Sequence, residues 1–331
     1  MQLKIKKMCV YLLWAGLIVI SSRMPGFAQT KSQVTITSGA NQISRTEVGK
    51  ALSAVLYEAN KIAEGTGDLT AIKDYFSPSG FAVFAELVNK TGLFTTIVEY
   101  RTHLLQTASG QYEVRGIKVR VQMGETTGDD IQELVFVLNF RLFITNVQFA
   151  METHHYTRLI EEGRRLEDMI YRQQILDFLE NFRTAHNRKD IAYLESAYSD
   201  DALIIVGRVL EKQEGSSDFL ESSTLSEHKI EFIKLSKRQY IDRLREVFKL
   251  NSFVRVIFDG VEIVRHSKFK EIYGIKLRQR WHSSTYSDEG YLFVMIDFND
   301  PTKPLIHVRA WQPEPFEDGS VVGLGDFEII E

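Results

Sequence analysis

Cysteine is almost missing from this chain. Cys9 is the only one in 331 residues, and it sits at the start of an N-terminal segment that reads as an export leader. Without that leader the chain would have no disulfide, no thiolate nucleophile and no cysteine-bound metal. A long apolar run is missing too. The run from Met8 to Ile20, "MCVYLLWAGLIVI", falls well short of the roughly 20 residues that span a bilayer, and no later segment is long and apolar enough to do so. Positive charge is also in short supply. Four of the 40 Lys and Arg (Lys4, Lys6, Lys7 and Arg23) belong to the leader, so the 44 Asp and Glu outweigh the remainder by about eight charges. A chain of that balance lacks the basic stripe that nucleic acid requires.

The catalytic motifs are equally sparse. His154 and His155 are adjacent, so a helix would point them about 100° apart rather than onto one metal. His103, His186, His228, His266, His282 and His307 are isolated in sequence, and HExxH does not occur. The stretch "GLGDFE" lacks the third glycine and following helix of a dinucleotide fingerprint, and there is no Walker loop or G-x-S-x-G elbow. These absences leave no expected cofactor and no expected metal site.

What is present begins with the leader. A basic flank, a short apolar centre and the small residues Gly26 and Ala28 around Phe27 make the three parts of a secretory signal. Cleavage after Ala28 would start the mature chain at Gln29. Cys9 precedes the apolar centre, unlike a lipoprotein cysteine, so the expectation is an exported protein of the periplasm or cell envelope that is not a lipoprotein and spans no membrane. Residues 29–43, polar and rich in Gly, Ser and Thr, read as a flexible lead.

From there the periodicities predict two α+β units. Ser44 or Thr46 would cap a helix running to Glu64, with Val48, Leu52, Val55, Leu56 and Ala59 on its buried side. A short helix through Ile72 and Tyr75 and an apolar stretch at Phe81–Leu87 follow. "TTIVEYRTHLLQ" has helical spacing, with Ile97, Tyr100 and Leu104 facing inward, and two strand-like segments reach residue 149. Residues 153–187 form a long helical pattern, which sets a domain boundary near 152: a first unit over 44–152 and a second over 153–331. In the second unit a short helix and a strand ("DIAYLESAYSDDALIIVG") lead into a loop. A helix capped by Ser236 follows, with Tyr240, Leu244 and Phe248 facing inward, and then four strands, with the tail "DGSVVGLGDFEII" as a further edge. The order of elements is shared between the halves, which suggests an internal repeat in which "TTIVEYRTHLLQ" corresponds to "SKRQYIDRLREVF".

The segment "ILDFLENFRTAHNRKDIAYLESAYSDDALIIVG" resembles the opening of the nuclear transport factor 2-like superfamily, which includes SnoaL-like and ketosteroid isomerase-like proteins. With "YGIKLRQRWHSSTYSDEGYLFVMIDF" and "IHVRAWQP" it is also similar to exported Bacteroidota proteins carrying such a domain. The resemblance covers about residues 165–318 and extends to the first half only in element order. It implies two tandem cones, each a curved antiparallel sheet with helices in its hollow. It implies no particular reaction, because this fold hosts isomerases, dehydratases, cyclases and pure binding modules.

Two functional readings follow. One is a non-catalytic binding or scaffold module of the cell envelope. The other is an isomerase, dehydratase or hydrolase working in the second cone, which needs a carboxylate base and opposing donors. Asp297 and Glu262 are the candidate bases, with Tyr273, Tyr291 and Tyr193 as donors, although Asp297 beside an arginine-rich strand reads better as a cross-strand ion pair. A small apolar ligand would meet Tyr193, Tyr273 and Trp281. On the last strand, strict alternation puts Ile306, Val308 and Ala310 inside the cone and His307, Arg309 and Trp311 outside. Arg278 and Arg280 join that outer face from the neighbouring strand. An exposed tryptophan among arginines suggests a contact surface, so this convex face is where the two halves, two copies or a protein partner would meet.

Overall fold

The computed structural model describes residues 31–107, 110–122, 131–151, 162, 166–210, 229–300 and 303–328. The leader with Cys9, and His154 and His155, lie outside these. None of the described helices is long and apolar enough to cross a membrane. The protein is α+β, with two sheets and a separate apolar core against each.

The first half starts earlier than expected. Gln33–Ser38 is not a flexible lead but strand β1, with Val34 and Ile36 buried. Its alternation of β-branched residues is what a half-buried strand requires. Helix α1 (Gln42–Ala63) follows, capped by Asn41, whose side chain accepts from Ser44 N at 2.9 Å. Its expected stripe of Val48, Leu52, Val55, Leu56 and Ala59 is buried throughout. After a 3-10 helix (Leu69–Tyr75), α2 (Pro78–Thr91) is capped by Ser77 and stopped by Gly92 in the left-handed region at φ 56°. That conformation suits glycine because it has no Cβ to clash.

The expected helix at 95–106 is instead strand β2 (Glu99–Gln106). Tyr100, Thr102 and Leu104 alternate inward with period two, while Ile97 is 37% exposed and precedes the strand. Tyr100 and Leu104 satisfy both periods, and the buried Thr102 between them decides for the strand. Strands β3 (Tyr112–Arg120), β4 (Ile131–Leu138) and β5 (Ile144–Phe149) complete a sheet ordered β1-β2-β3-β4-β5. Only β1 and β2 in it are parallel.

The second half comprises α3 (Leu166–Arg188), α4 (Ile191–Ser196), β6 (Tyr198–Leu210), β7 (Lys229–Leu235), α5 (Lys237–Leu250), β8 (Val254–Arg265), β9 (Ile272–Ser283), β10 (Ser287–Asp297) and β11 (Leu305–Gln312). The sheet order is β7-β6-β11-β10-β9-β8, with β6 and β11 parallel and the other neighbours antiparallel. Ser236 caps α5 in a full capping box with Gln239, as its spacing predicts. Leu244 and Phe248 are buried and Tyr240 packs against the core, so α5 lies in the hollow of the sheet.

Among its described residues the tail adds no strand. Val322, Leu324 and Phe327 cover Phe293, Met295, Val308 and Ala310 on the outer face, with the Phe293 and Phe327 rings stacked at 5.4 Å.

The halves meet along α3, not on the convex face of the second sheet. Leu176, Leu179 and Phe182 of α3 enter the second core, while Glu180 and Thr184 turn to the first sheet. Glu180 is fully buried and accepts from Arg115 Nη1 and Nη2 (2.9 Å each), Gln148 Nε2 (2.9 Å) and Met151 N (2.8 Å). Glu113 (3.0 Å) and Asp177 (3.6 Å) also reach Arg115. Burial pushes the Glu113 and Asp177 carboxyls above the usual range; neighbouring carboxylates reinforce this and Arg115 opposes it. The junction uses the outer face of the first sheet, with Arg115 at its centre, and not the expected row of Arg309 and Trp311.

Candidate functional site in the hollow of the second domain

The last strand carries a β-bulge that alternation could not reveal. The register of β11 against β10 shifts between Met295 and Ile296, and against β6 between Ile306 and Val308, leaving His307 as the extra residue. An extra residue inverts the facing of everything beyond it. Ile306 stays inside, opposite Ile296 and Tyr198. Val308 and Ala310 turn out, beneath the tail, and Arg309 and Trp311 turn in. The expected outer placement of Arg309 and Trp311 is therefore wrong. Arg309 lies between Val294 and Ile204, and Trp311 between Leu292 and Val206, all four of which belong to the inner core.

His307 remains on the outside, 3.7 Å from Asp297 and 4.0 Å from Asp201. Arg278 and Arg280 are outside as predicted, but each has a carboxylate on its own sheet: Arg278 with Glu289 at 2.5 Å and Arg280 with Asp259 at 3.5 Å.

Inside, Arg309 is 6% exposed. Among the described residues no carboxylate comes within ion-pair distance of it, and its Nε is buried without a hydrogen-bond partner. Its guanidinium lies 5.0 Å from the ring centre of Tyr240. The Tyr198 hydroxyl is beside the guanidinium and the Tyr240 hydroxyl but is aligned for a hydrogen bond with neither. Burial, more than these neighbours, holds that phenol well above its ordinary pKa. Trp311 Nε1 is a third buried donor without a partner. The indole lies across Gly290, where a Cβ would stand 2.9 Å from the ring and 2.5 Å from the Gln312 carbonyl oxygen. Only glycine leaves room for it.

Two further groups complete the surroundings. His186 is wedged against the rings of Phe182 (4.7 Å), Trp281 (6.1 Å) and Phe248 (6.4 Å), with Nδ1 2.8 Å from the Phe182 carbonyl oxygen. Burial lowers its pKa to about 4, so it is neutral at pH 7. Asp288 stands opposite Trp281 on the inner face, and burial raises its carboxyl pKa while Tyr286 and, from beyond ion-pair range, Arg309 oppose the shift.

The residues expected to line a ligand are not brought together. Tyr273 is buried among Tyr171 and Phe298, with its hydroxyl donating to Asp168 Oδ1 at 3.0 Å. Tyr193 lines a groove of about 400 Å³ with Phe178, Asn181 and Gln111, where the two halves adjoin. Trp281 stands eight residues beyond Tyr273 on the same inner strand face, against His186. The candidate bases are displaced too. Asp297 closes a turn by accepting from Asn299 N (2.7 Å) and Nδ2 (3.0 Å), and its cross-strand partner is His307 rather than an arginine. Glu262 and Tyr291 face a shallow outer groove of about 180 Å³ beneath Val321 and Val322.

No family model matches this chain, and no curated protein does. It is similar in fold to solved structures. One is Bd1075 of Bdellovibrio bacteriovorus, at 13% identity, 63% of this chain, 91% of that one and a TM-score of 0.32. Another is an NTF-2 like protein of unknown function from Shewanella oneidensis MR-1, at 12% identity, 42% and 95% coverage and a TM-score of 0.29. A chain of naphthalene 1,2-dioxygenase matches at 11% identity, 47% and 79% coverage and a TM-score of 0.32. Likeness at this level concerns the fold and carries nothing about activity.

The first half supplies an internal comparison. Its last strand, β5, has a register shift at the same place, between Val137 and Leu138, and Ile144 bridges Phe76 in parallel as Ile306 bridges Tyr198. Ser77 caps α2 as Ser236 caps α5, and Phe81 meets Phe76 edge-on at 6.0 Å as Tyr240 meets Tyr198 at 5.6 Å. The repeat holds from the capped helix to the last strand, not at the sheet edges, and is offset from the expected one: "PSGFAVFAELVNKT", not "TTIVEYRTHLLQ", corresponds to α5. Where the second half has Tyr198, Tyr240, Arg309 and Trp311, the first has Phe76, Phe81, Val147 and Phe149.

Proposed function

We propose that this chain is an exported, non-catalytic binding module of the cell envelope whose second domain takes a small ligand into its hollow. The sidedness of the polar groups carries this reading. The two expected bases, Asp297 and Glu262, face away from the hollow, whereas most of the polar groups facing it, Asp288 apart, are donors: a guanidinium, an indole N–H and two phenols. A set dominated by donors binds and orients rather than abstracts protons. Export rests on the tripartite leader, and intact mass of envelope-fraction protein should begin at Gln29. A mass that includes residues 1–28 would remove the export reading.

A second reading, an isomerase or dehydratase, is favoured by Asp288, a carboxyl on the inner face with a raised pKa. Incubating the mature protein with a bound ligand and recovering it by NMR separates the two. An unchanged ligand fits the binding module, and turnover that Asp288→Asn abolishes would establish the enzyme.

A further inference from the structure

Burying a charge is costly unless it is paired, and an arginine cannot escape the cost by losing its proton. Arg309 is 6% exposed in an aromatic and aliphatic hollow, with Asp288 the carboxylate closest to an answer and still outside ion-pair range. The neighbouring His186 is neutral and adds no counter-charge. Two further donors, Trp311 Nε1 and the Tyr198 hydroxyl, are also buried there without partners. Arg309 and Trp311 are two residues apart on one face of a strand, about 7 Å along it, so their donors converge on one region.

The arrangement is not something the fold requires. At the equivalent places the first half has Val147 and Phe149, both fully buried, and Phe76 and Phe81, which build the same bulged strand and edge-on ring pair without a charge. The polar version is an addition to a scaffold that closes well without it.

We propose that these residues form an anion subsite, with Arg309 the counter-ion of a small monocarboxylic acid whose apolar body lies against Trp311, Trp281 and Tyr240. The inference rests on the reading of the second hollow as a binding pocket. A monoanion is favoured over a phosphate because one guanidinium and two neutral donors answer a single charge, and Asp288 nearby would repel a second. A planar carboxylate also suits the fork of the guanidinium, and Trp311 Nε1–H can donate beside it. Trp311, Tyr240, Val206 and Ile233 pack against the core while remaining partly accessible, on the side of the hollow next to β6 and β7.

The test uses the mature full-length protein with phenylacetate and octanoate as probes, against phenylacetamide and octanol as uncharged counterparts. Binding is read from tryptophan fluorescence and from the indole N–H resonance of Trp311. The acids should bind roughly 30-fold more tightly than their neutral counterparts. Arg309→Met should weaken the acids roughly 100-fold, and Trp311→Phe about fivefold. The ligand-free Arg309→Met protein should melt no lower than the parent and by this reasoning roughly 2–4 °C higher, because it loses an unpaired buried charge. If the neutral probes bind as well as the acids, or the acids bind Arg309→Met undiminished, the anion subsite falls and the binding pocket stands. If neither class perturbs Trp281 or Trp311 at millimolar concentration, the pocket falls with it. A marked loss of stability in ligand-free Arg309→Met would make the arginine a structural element and overturn the proposal.

Discussion

Replacing Glu180 by glutamine should be among the most damaging single changes in the chain, although it alters one atom. Both carboxylate oxygens are occupied by donors: the two Nη of Arg115 and Gln148 Nε2 at 2.9 Å, and Met151 N at 2.8 Å. A glutamine amide would turn its own N–H groups toward one side of that set, donor against donor, and would leave Arg115 with Glu113 and Asp177 as its remaining carboxylates. Removing one partner of a buried pair costs about 3–5 kcal/mol. With a urea slope near 3 kcal/mol/M, that is a fall of roughly 1–2 M in the unfolding midpoint. The assay is urea unfolding followed by circular dichroism, with tryptophan fluorescence reporting the second domain through Trp281 and Trp311. The double variant Arg115→Met, Glu180→Leu should lose at least as much as Glu180→Gln, because it leaves Glu113 and Asp177 without the arginine and the Gln148 and Met151 donors without an acceptor. A midpoint for Glu180→Gln within about 0.3 M of the parent, a change worth only about 1 kcal/mol at that slope, would refute the reasoning.

Other outcomes follow from the same structure. His186 has its pKa lowered to about 4 from 6.5 by burial, so the unfolded chain takes up a proton first as pH falls. Stability should drop by about 3 kcal/mol between pH 6.5 and 4 and level off below, and His186→Phe should flatten that slope in pH-dependent melting. Gly290→Ala should push the indole of Trp311 off the sheet, costing about 1–3 kcal/mol and red-shifting the emission; an unshifted spectrum would mean that the ring lies elsewhere. Phe327→Ala should uncover Phe293 and Met295, costing about 1–2 kcal/mol, with dye binding to the exposed face as the readout.

How much of this was legible in the sequence depended on whether a single local period decided the matter. The α1 stripe, the Ser236 cap and the four closing strands were readable because each rests on a period or a cap signal within one element. β2 was misread because Tyr100 and Leu104 serve a helix and a strand equally well. β1 was missed because its alternation is only six residues long and is flanked by Gly, Ser and Thr. The role of the charged side of α3 had no local signal, since nothing near "LENFRTAH" shows that Glu180 will meet Arg115, 65 residues away. The site itself depended on a bulge. His307 is one extra residue in a strand whose letters alternate without fault, and only the partner strands reveal that the alternation breaks there.

That bulge also explains why the outer row of His307, Arg309 and Trp311 made sense as a surface and fails as one. Had the strand stayed regular, Val308 and Ala310 would have filled the hollow as Val147 and Phe149 fill the first, and the arginine would have found carboxylates on the outer face as Arg278 and Arg280 do. The first half contains the same bulge with apolar residues turned inward, so the bulge belongs to the scaffold and the polar quartet does not. A scaffold that keeps its backbone device in both copies but places a charge and unpartnered donors behind it in one has given up stability there. When local rules are broken at one of two equivalent places, the proposed ligand would be a compensation that both the chemistry of Arg309 and the aromatic walls can use.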